Sequence, residues 1–157
     1  MDIAYCSSPI GVLKISADGK WIRSVDFVNK NGASRWTPTL KKCAQELGEY
    51  FQKKRSVFSF QCQPEGTEFQ KKVWNALIHL PFGSTETYSG LADKIGHKKA
   101  VRAVGSACGS NRLAILIPCH RVIASDGRLA GYASGLRRKK WLLEHENQPK
   151  KRVSKAL

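Results

Sequence analysis

The tetrapeptide Pro118-Cys119-His120-Arg121 closes the apolar run Leu113-Ala114-Ile115-Leu116-Ile117. A thiol is nucleophilic as its thiolate, and neighbouring cations or proton acceptors favour that form. Cys119 is therefore a candidate nucleophile, His120 a candidate base or relay, and a carboxylate elsewhere should orient the histidine. Adjacent residues of a regular strand point to opposite faces, so Cys119 and His120 cooperate only if the chain turns there or a water bridges them. On spacing alone, a core cysteine beside a surface histidine fits equally well.

Charge is the second signal. The 157 residues hold 27 Lys and Arg against 12 Asp and Glu, a net +15. A reactive thiol in such a cation suits a polyanionic substrate, and the charge is compatible with nucleic acid or an anionic membrane surface, or with a merely solvated basic surface. A content of 41% hydrophobic residues can build a core. The sequence offers neither the roughly 20 consecutive apolar residues of a membrane span nor the pattern of a signal peptide. A soluble, intracellular protein is expected. Five cysteines (Cys6, Cys43, Cys62, Cys108, Cys119) without a CxxC pair match neither a disulfide framework nor a common zinc pattern. A mixed set such as Cys6, Cys62 and His79 fits no standard spacing, and Cys6, Cys43 and Cys62 read as inert buried thiols.

The elements that must position the thiol form two units. Residues 1–63 read as antiparallel strands plus a helix. Residues 12–17 and 21–27 flank the turn signal Asp18-Gly19, Thr37-Pro38 opens a helix striped by Leu40, Ala44, Leu47 and Phe51, and residues 57–60 read as a further strand. Residues 67–147 read as mostly helical. Thr67 and Gln70 form a capping box, and Phe69, Val73, Trp74, Leu77 and Ile78 line one face. A short helix at 89–95 and another at 98–108, joined through Gly96-His97, suggest a helix-turn-helix; a plain helical corner gives the same pattern. In the second helix Val101, Val104 and Cys108 can face inward, while Arg102, Ala103, Gly105 and Ser106 form a small face with one long cation. Small residues permit close approach to DNA, and an arginine can enter a groove or the base stack. Lys98 and Lys99 suit phosphates. A strand is expected to deliver Cys119. Residues 129–135 form a small-residue loop, Ser134 is placed to cap a last helix running through Glu146, and residues 148–157 form a basic tail expected to be disordered.

Residues 69–146 resemble the O6-alkylguanine-DNA alkyltransferases. The resemblance rests on Phe69-Gln70 with Val73-Trp74, Leu80-Pro81-Phe82-Gly83, Tyr88 with Leu91-Ala92, Arg102-Ala103-Val104-Gly105, Asn111, Ile117-Pro118-Cys119-His120-Arg121-Val122, Gly131-Tyr132 with Gly135, and Leu142-Leu143 before Glu146. It covers about half the chain. It implies an α+β protein: a small N-terminal domain of antiparallel sheet plus helix, then a mostly helical domain carrying the helix-turn-helix and the cysteine.

The resemblance implies direct reversal of damage in double-stranded DNA. The alkylated guanine is flipped out, and its O6-alkyl group passes irreversibly to Cys119, once per molecule; O4-alkylthymine is a second expected substrate. His120 would deprotonate Cys119 through a water, and Glu146 would polarise His120. Asn111 would hold the turn carrying the cysteine. Tyr88 would donate to the departing guanine and help rotate the nucleotide. Arg102 would fill the vacated stack. Arg121 is placed with the DNA-binding residues and would order the site loop by ion pairing. Val122, Gly131, Tyr132 and Ala133 would line the alkyl pocket. No metal or cofactor is implied. A monomer is expected, in the cytoplasm (on the nucleoid in a bacterium) or in a eukaryotic nucleus.

Arg112 and Ala114 stand where the family has or can have Pro, and Ala133 where Ser is frequent, which bears on the acceptance of bulky adducts. Three rival readings differ in what they predict. An alkyltransferase-like damage binder would lack Cys119. A helix-turn-helix regulator would find Cys119 dispensable. A cysteine hydrolase would leave the charge unexplained.

Overall fold

A computed structural model describes residues 1–147; the basic tail at 148–157 lies outside the described residues. Three strands open the chain: β1 (Asp2–Ser8), β2 (Gly11–Asp18) and β3 (Trp21–Val28). They pair antiparallel in sequence order, with the second hairpin at the expected turn. Helix α1 (Pro38–Phe51) starts as its sequence dictates, with Pro38 in the first turn and the Thr37 hydroxyl accepting the Leu40 N–H. Its buried Leu40, Cys43 and Leu47 join Leu13, Ile15, Ile22 and Val25 in one core, contacting β1 to β3.

The strand expected at 57–60 does not form there. The Glu46 carboxylate takes the Ser59 N–H and hydroxyl, and Arg55 donates to the Val57 carbonyl. Side chains thus occupy the backbone groups a ladder would use. The strand β4 (Gln61–Cys62) follows instead, parallel to the start of β3. Farther along, Val25 bridges Leu113 from the second half of the chain, with the Val25 N–H donating to the Arg112 carbonyl and the Ala114 N–H to the Val25 carbonyl. Both halves therefore share one sheet edge.

Helix α2 (Glu68–Ile78) carries the full capping box between Thr67 and Gln70. The short strand β5 (Glu86–Thr87) leads into α3 (Tyr88–Lys94), which Thr87 caps. Gly96, at φ +79° in a region that favours glycine, turns the chain towards α4 (Val101–Gly109). The second helix, expected from residue 98, begins at Val101, so Lys98 and Lys99 lie in the preceding turn. Val104, Ala107 and Cys108 face inward, whereas Val101 is 36% exposed.

The largest departure is residues 113–117, expected as a strand. Only Leu113 pairs. The Leu116 N–H then donates to the Ala114 carbonyl around Ile115 at φ 72°, and the Cys119 N–H donates to the Ile117 carbonyl around Pro118 at φ −78°, ψ 63°. These are two γ-turns, the first with its central residue in a costly conformation for a β-branched side chain. They feed the short 3₁₀ turn Cys119–Arg121 and then β6 (Val122–Ile123), parallel to β5. Helix α5 (Leu136–Asn147) ends the described chain. Its first turn takes the Gly135 carbonyl as acceptor of Lys139 N–H, so Gly135 rather than Ser134 stands at the start. Among the described residues no helix is long and apolar enough to cross a membrane.

Thr67→Ala removes one half of the capping box and should cost about 1 kcal/mol. A thermal scan should show Tm lowered by roughly 2–4 °C for a chain of this size.

Candidate active site

The 3₁₀ turn resolves the geometric objection to a Cys-His pair. Cys119, His120 and Arg121 follow one tight turn rather than alternating across a strand, and all three are buried. Cys119 opens onto a cavity of about 80 Å³ lined by Tyr88, Gly105, Cys108, Gly109, Gly131 and Tyr132. The Asn111 amide donates to Cys119 Sγ at 3.3 Å and to the Ile117 carbonyl at 2.9 Å, while its oxygen accepts the Leu113 N–H at 2.9 Å. One side chain thus fixes both γ-turns and the thiol.

Behind the thiol lies Glu146, donated by the last turn of α5. Its Oε2 is 2.7 Å from His120 Nε2 and 3.0 Å from Arg121 Nη2, and its Oε1 is 2.8 Å from Arg121 Nε. The third guanidinium nitrogen donates to the Leu80 carbonyl at 2.6 Å, beyond the end of α2. Tyr50 of α1 donates to Oε2 at 2.6 Å. Burial alone would raise the Glu146 carboxyl, but the hydrogen bonds from His120 and Arg121 outweigh it and hold the group well below the usual carboxylate range. Burial keeps His120 below its ordinary value; Glu146 opposes this, while Arg121 and Lys139 reinforce it. The arrangement is a neutral imidazole whose Nε2–H donates to an ionised carboxylate. Its Nδ1 then carries a lone pair, and that buried atom has no protein partner among the described residues. Burial also pushes the Cys119 thiol up, partly offset by the Asn111 hydrogen bond and the Lys139 charge.

Lys139 stands in the basic run at 137–140, where no local signal singles it out. It is fully buried. Its ammonium donates to the carbonyls of Ala130 and Gly131 at 2.9 and 3.0 Å and lies 3.5 Å from the Tyr88 hydroxyl, which itself donates to the Ala130 carbonyl at 2.7 Å. Burial lowers the Lys139 ammonium, and the two thiols work against that shift. Gly131, at φ +65°, makes the sharp bend that lets this loop reach the cavity. Arg138 ties the loop to the first hairpin through the carbonyls of Ser134 and Ile10.

Of the expected pocket residues, Gly131 and Tyr132 line the cavity; Val122 is fully buried and Ala133 exposed, and neither lines it. Cys108 and Gly109 line it without having been expected. Arg102, Ala103 and Ser106 are exposed on α4, and Gly105 faces the Tyr88 ring. Arg102 has no ion-pair partner among the described residues. Lys98 and Lys99 are exposed in the turn before. Arg121 departs from this group. It is 6% exposed with its fork filled by Glu146 and Leu80, so its guanidinium is closed to a surface partner. Among the described residues no group of three or more His, Cys, Asp or Glu side chains is placed to hold a metal ion.

Two pH dependences follow. A folded-state pKa below the unfolded value stabilises the fold above the unfolded value and loses that contribution as pH falls. For His120 the loss begins below about pH 6.5, and for Glu146 below about pH 4.3. The urea midpoint should therefore fall from pH 7 to pH 5, and His120→Gln should flatten that slope.

Comparison with known proteins gives a consistent family. Residues 68–148 match the model of the 6-O-methylguanine DNA methyltransferase DNA-binding domain, and residues 1–64 that of the ribonuclease-like domain of the same family. A methylated-DNA–protein-cysteine methyltransferase of Methanosarcina barkeri is 45% identical over 148 residues, covering 88% of this chain and 92% of the relative. One of Mycobacterium tuberculosis is 39% identical over 145 residues, 88% of each chain. Among solved structures, Mycobacterium tuberculosis OGT in complex with DNA aligns with a TM-score of 0.85 and 37% identity over 94% of this chain and 93% of the other. The O6-methylguanine methyltransferase of the same organism aligns with a TM-score of 0.87 and 34% identity, covering 98% of each chain. With a thiol held at a small cavity, a buried His120–Glu146 pair beside it in the fold, and both halves matched, the chain belongs to the 6-O-methylguanine DNA methyltransferase family.

Proposed function

We propose that this protein repairs O6-alkylguanine in double-stranded DNA by moving the alkyl group to Cys119, once per molecule and without a cofactor. The observation that carries the reading is the Cys119 thiol at the cavity wall with the neutral His120 and ionised Glu146 behind it. His120 Nδ1 takes the thiol proton, through a water, as the lesion arrives. The thiolate attacks the alkyl carbon. A C–S bond forms as the C–O6 bond breaks, and the electron pair leaves with the guanine. A thioether has no leaving group to match guanine, so the sulfur is not regenerated. O4-alkylthymine offers the same C–O bond and is a second substrate.

Tyr88 donates to the departing base. Burial pushes its hydroxyl up to about 12, so it stays protonated at neutral pH and can stabilise developing negative charge. To do so it must swing from the Ala130 carbonyl towards the base. A target inside a duplex is out of reach of a buried thiol, so the nucleotide must flip at a cost of a few kcal/mol. Arg102, exposed on the small face of α4, fills the gap left in the stack. Lys98 and Lys99 hold phosphates. The protein acts as a monomer in the compartment that holds the DNA, since one lesion consumes one molecule.

Three outcomes test this. Cys119→Ala should abolish methyl transfer from a duplex carrying one O6-methylguanine while retaining affinity for it in a gel-shift titration; methyl acceptance by the variant would refute the assignment. Arg102→Ala should slow repair of the duplex more than reaction with the free alkylguanine base, and equal losses would remove the wedge role. Affinity should fall steeply as salt rises, and a flat response would place DNA away from the basic face.

A further inference from the structure

We propose that Tyr50, on α1 of the N-terminal half, is a positioning residue for the relay, through its hydroxyl on Glu146. The inference rests on the transfer reading, to which it adds a role for a region whose sequence carries no reactive motif.

The hydroxyl is 2.6 Å from Glu146 Oε2, across 96 residues of sequence, and Tyr50 is 1% exposed. Packing does not require that oxygen. The ring sits 6.1 Å from Phe82 and 5.2 Å from His145, centroid to centroid, and a phenylalanine would make the same contacts. The hydroxyl is therefore present for its hydrogen bond. An ionised carboxylate has about four acceptor positions. In Glu146, Oε2 receives three donors, from Tyr50, His120 and Arg121 Nη2, and Oε1 receives one, from Arg121 Nε. Donors on both oxygens fix the orientation of the carboxylate, and the Tyr50 hydroxyl is the donor supplied by α1. The backbone is held too, because the Tyr50 carbonyl meets His145 Nε2 at 2.9 Å. Burial and the neighbouring carboxylate raise the Tyr50 phenol far above its ordinary range, so it remains a donor.

Removing the donor takes away one of the three hydrogen bonds to Oε2 and leaves more negative charge on the oxygen that faces His120. Glu146, Arg121 and Lys139 are the charged groups acting on the imidazole, from α5 and the 3₁₀ turn; Tyr50 and Tyr132 act on Glu146 from α1 and the site loop. Only the Glu146 contribution grows when Tyr50 loses its hydroxyl, so the imidazolium gains and His120 titrates at higher pH.

The experiment compares Tyr50→Phe with Phe51→Leu. Phe51 packs on Trp141 and His145 at the same junction, so its truncation loosens the interface without removing a hydrogen bond from Glu146. Two readouts are taken: the rate of methyl transfer from an O6-methylguanine duplex against pH, and the His120 titration by ring NMR. Tyr50→Phe should lower the neutral-pH rate about three- to tenfold, the worth of one hydrogen bond, and move both the acid limb and the His120 titration upward. Phe51→Leu should lower Tm and leave both midpoints in place. An unchanged His120 titration in Tyr50→Phe, or an equal shift in Phe51→Leu, overturns the proposal. If the wild-type protein accepts no methyl group, the transfer reading falls, while the His120 titration still decides the role of Tyr50.

Discussion

Glu146 is an ionised carboxylate in the interior, and an interior charge is tolerated only when it is paired and hydrogen-bonded. The structure meets that condition by bringing four segments to one point. Arg121 and His120 come from the 3₁₀ turn, Tyr50 from α1, and Glu146 itself from α5; the Leu80 carbonyl at the end of α2 occupies the remaining arm of Arg121. Removing one partner of such a buried pair typically costs about 3–5 kcal/mol. The same network that stabilises the fold therefore also orients the imidazole. In this protein the group that orients His120 and the junction between the halves are the same carboxylate.

A second constraint acts on the thiol. Burial disfavours the thiolate. Asn111 and Lys139 oppose that penalty, one by a hydrogen bond to sulfur and one by charge. Lys139 also ties the site loop to Tyr88. A shift of that loop would alter the position of the donor and the electrostatics of the nucleophile together.

Much of this was legible in the sequence, and the exceptions have physical causes. Local signals held where the deciding atoms are close in sequence: the Thr37-Pro38 start, the Thr67/Gln70 box and the Asp18-Gly19 hairpin. The apolar run at 113–117 misled because burial, and not strand pairing, explains its composition; two γ-turns around Ile115 and Pro118 do the work of delivering Cys119. Lys139 was unreadable because a cation in a basic run looks solvated, and only the tertiary fold shows it enclosed. Arg121 makes the ion pair expected of it, with Glu146, but that same burial takes it off the DNA-binding face. No local signal marks Tyr50, because its partner is 96 residues away.

Every role proposed for this site depends on Cys119 being the acceptor. The direct measurement is mass spectrometry of the intact protein and its Cys119 peptide after incubation with a duplex carrying one O6-methylguanine. The account predicts a gain of one methyl group on Cys119, saturating at one per molecule with no turnover. A protein that binds the lesion tightly yet stays unmodified at Cys119 would contradict it and make the molecule a damage sensor.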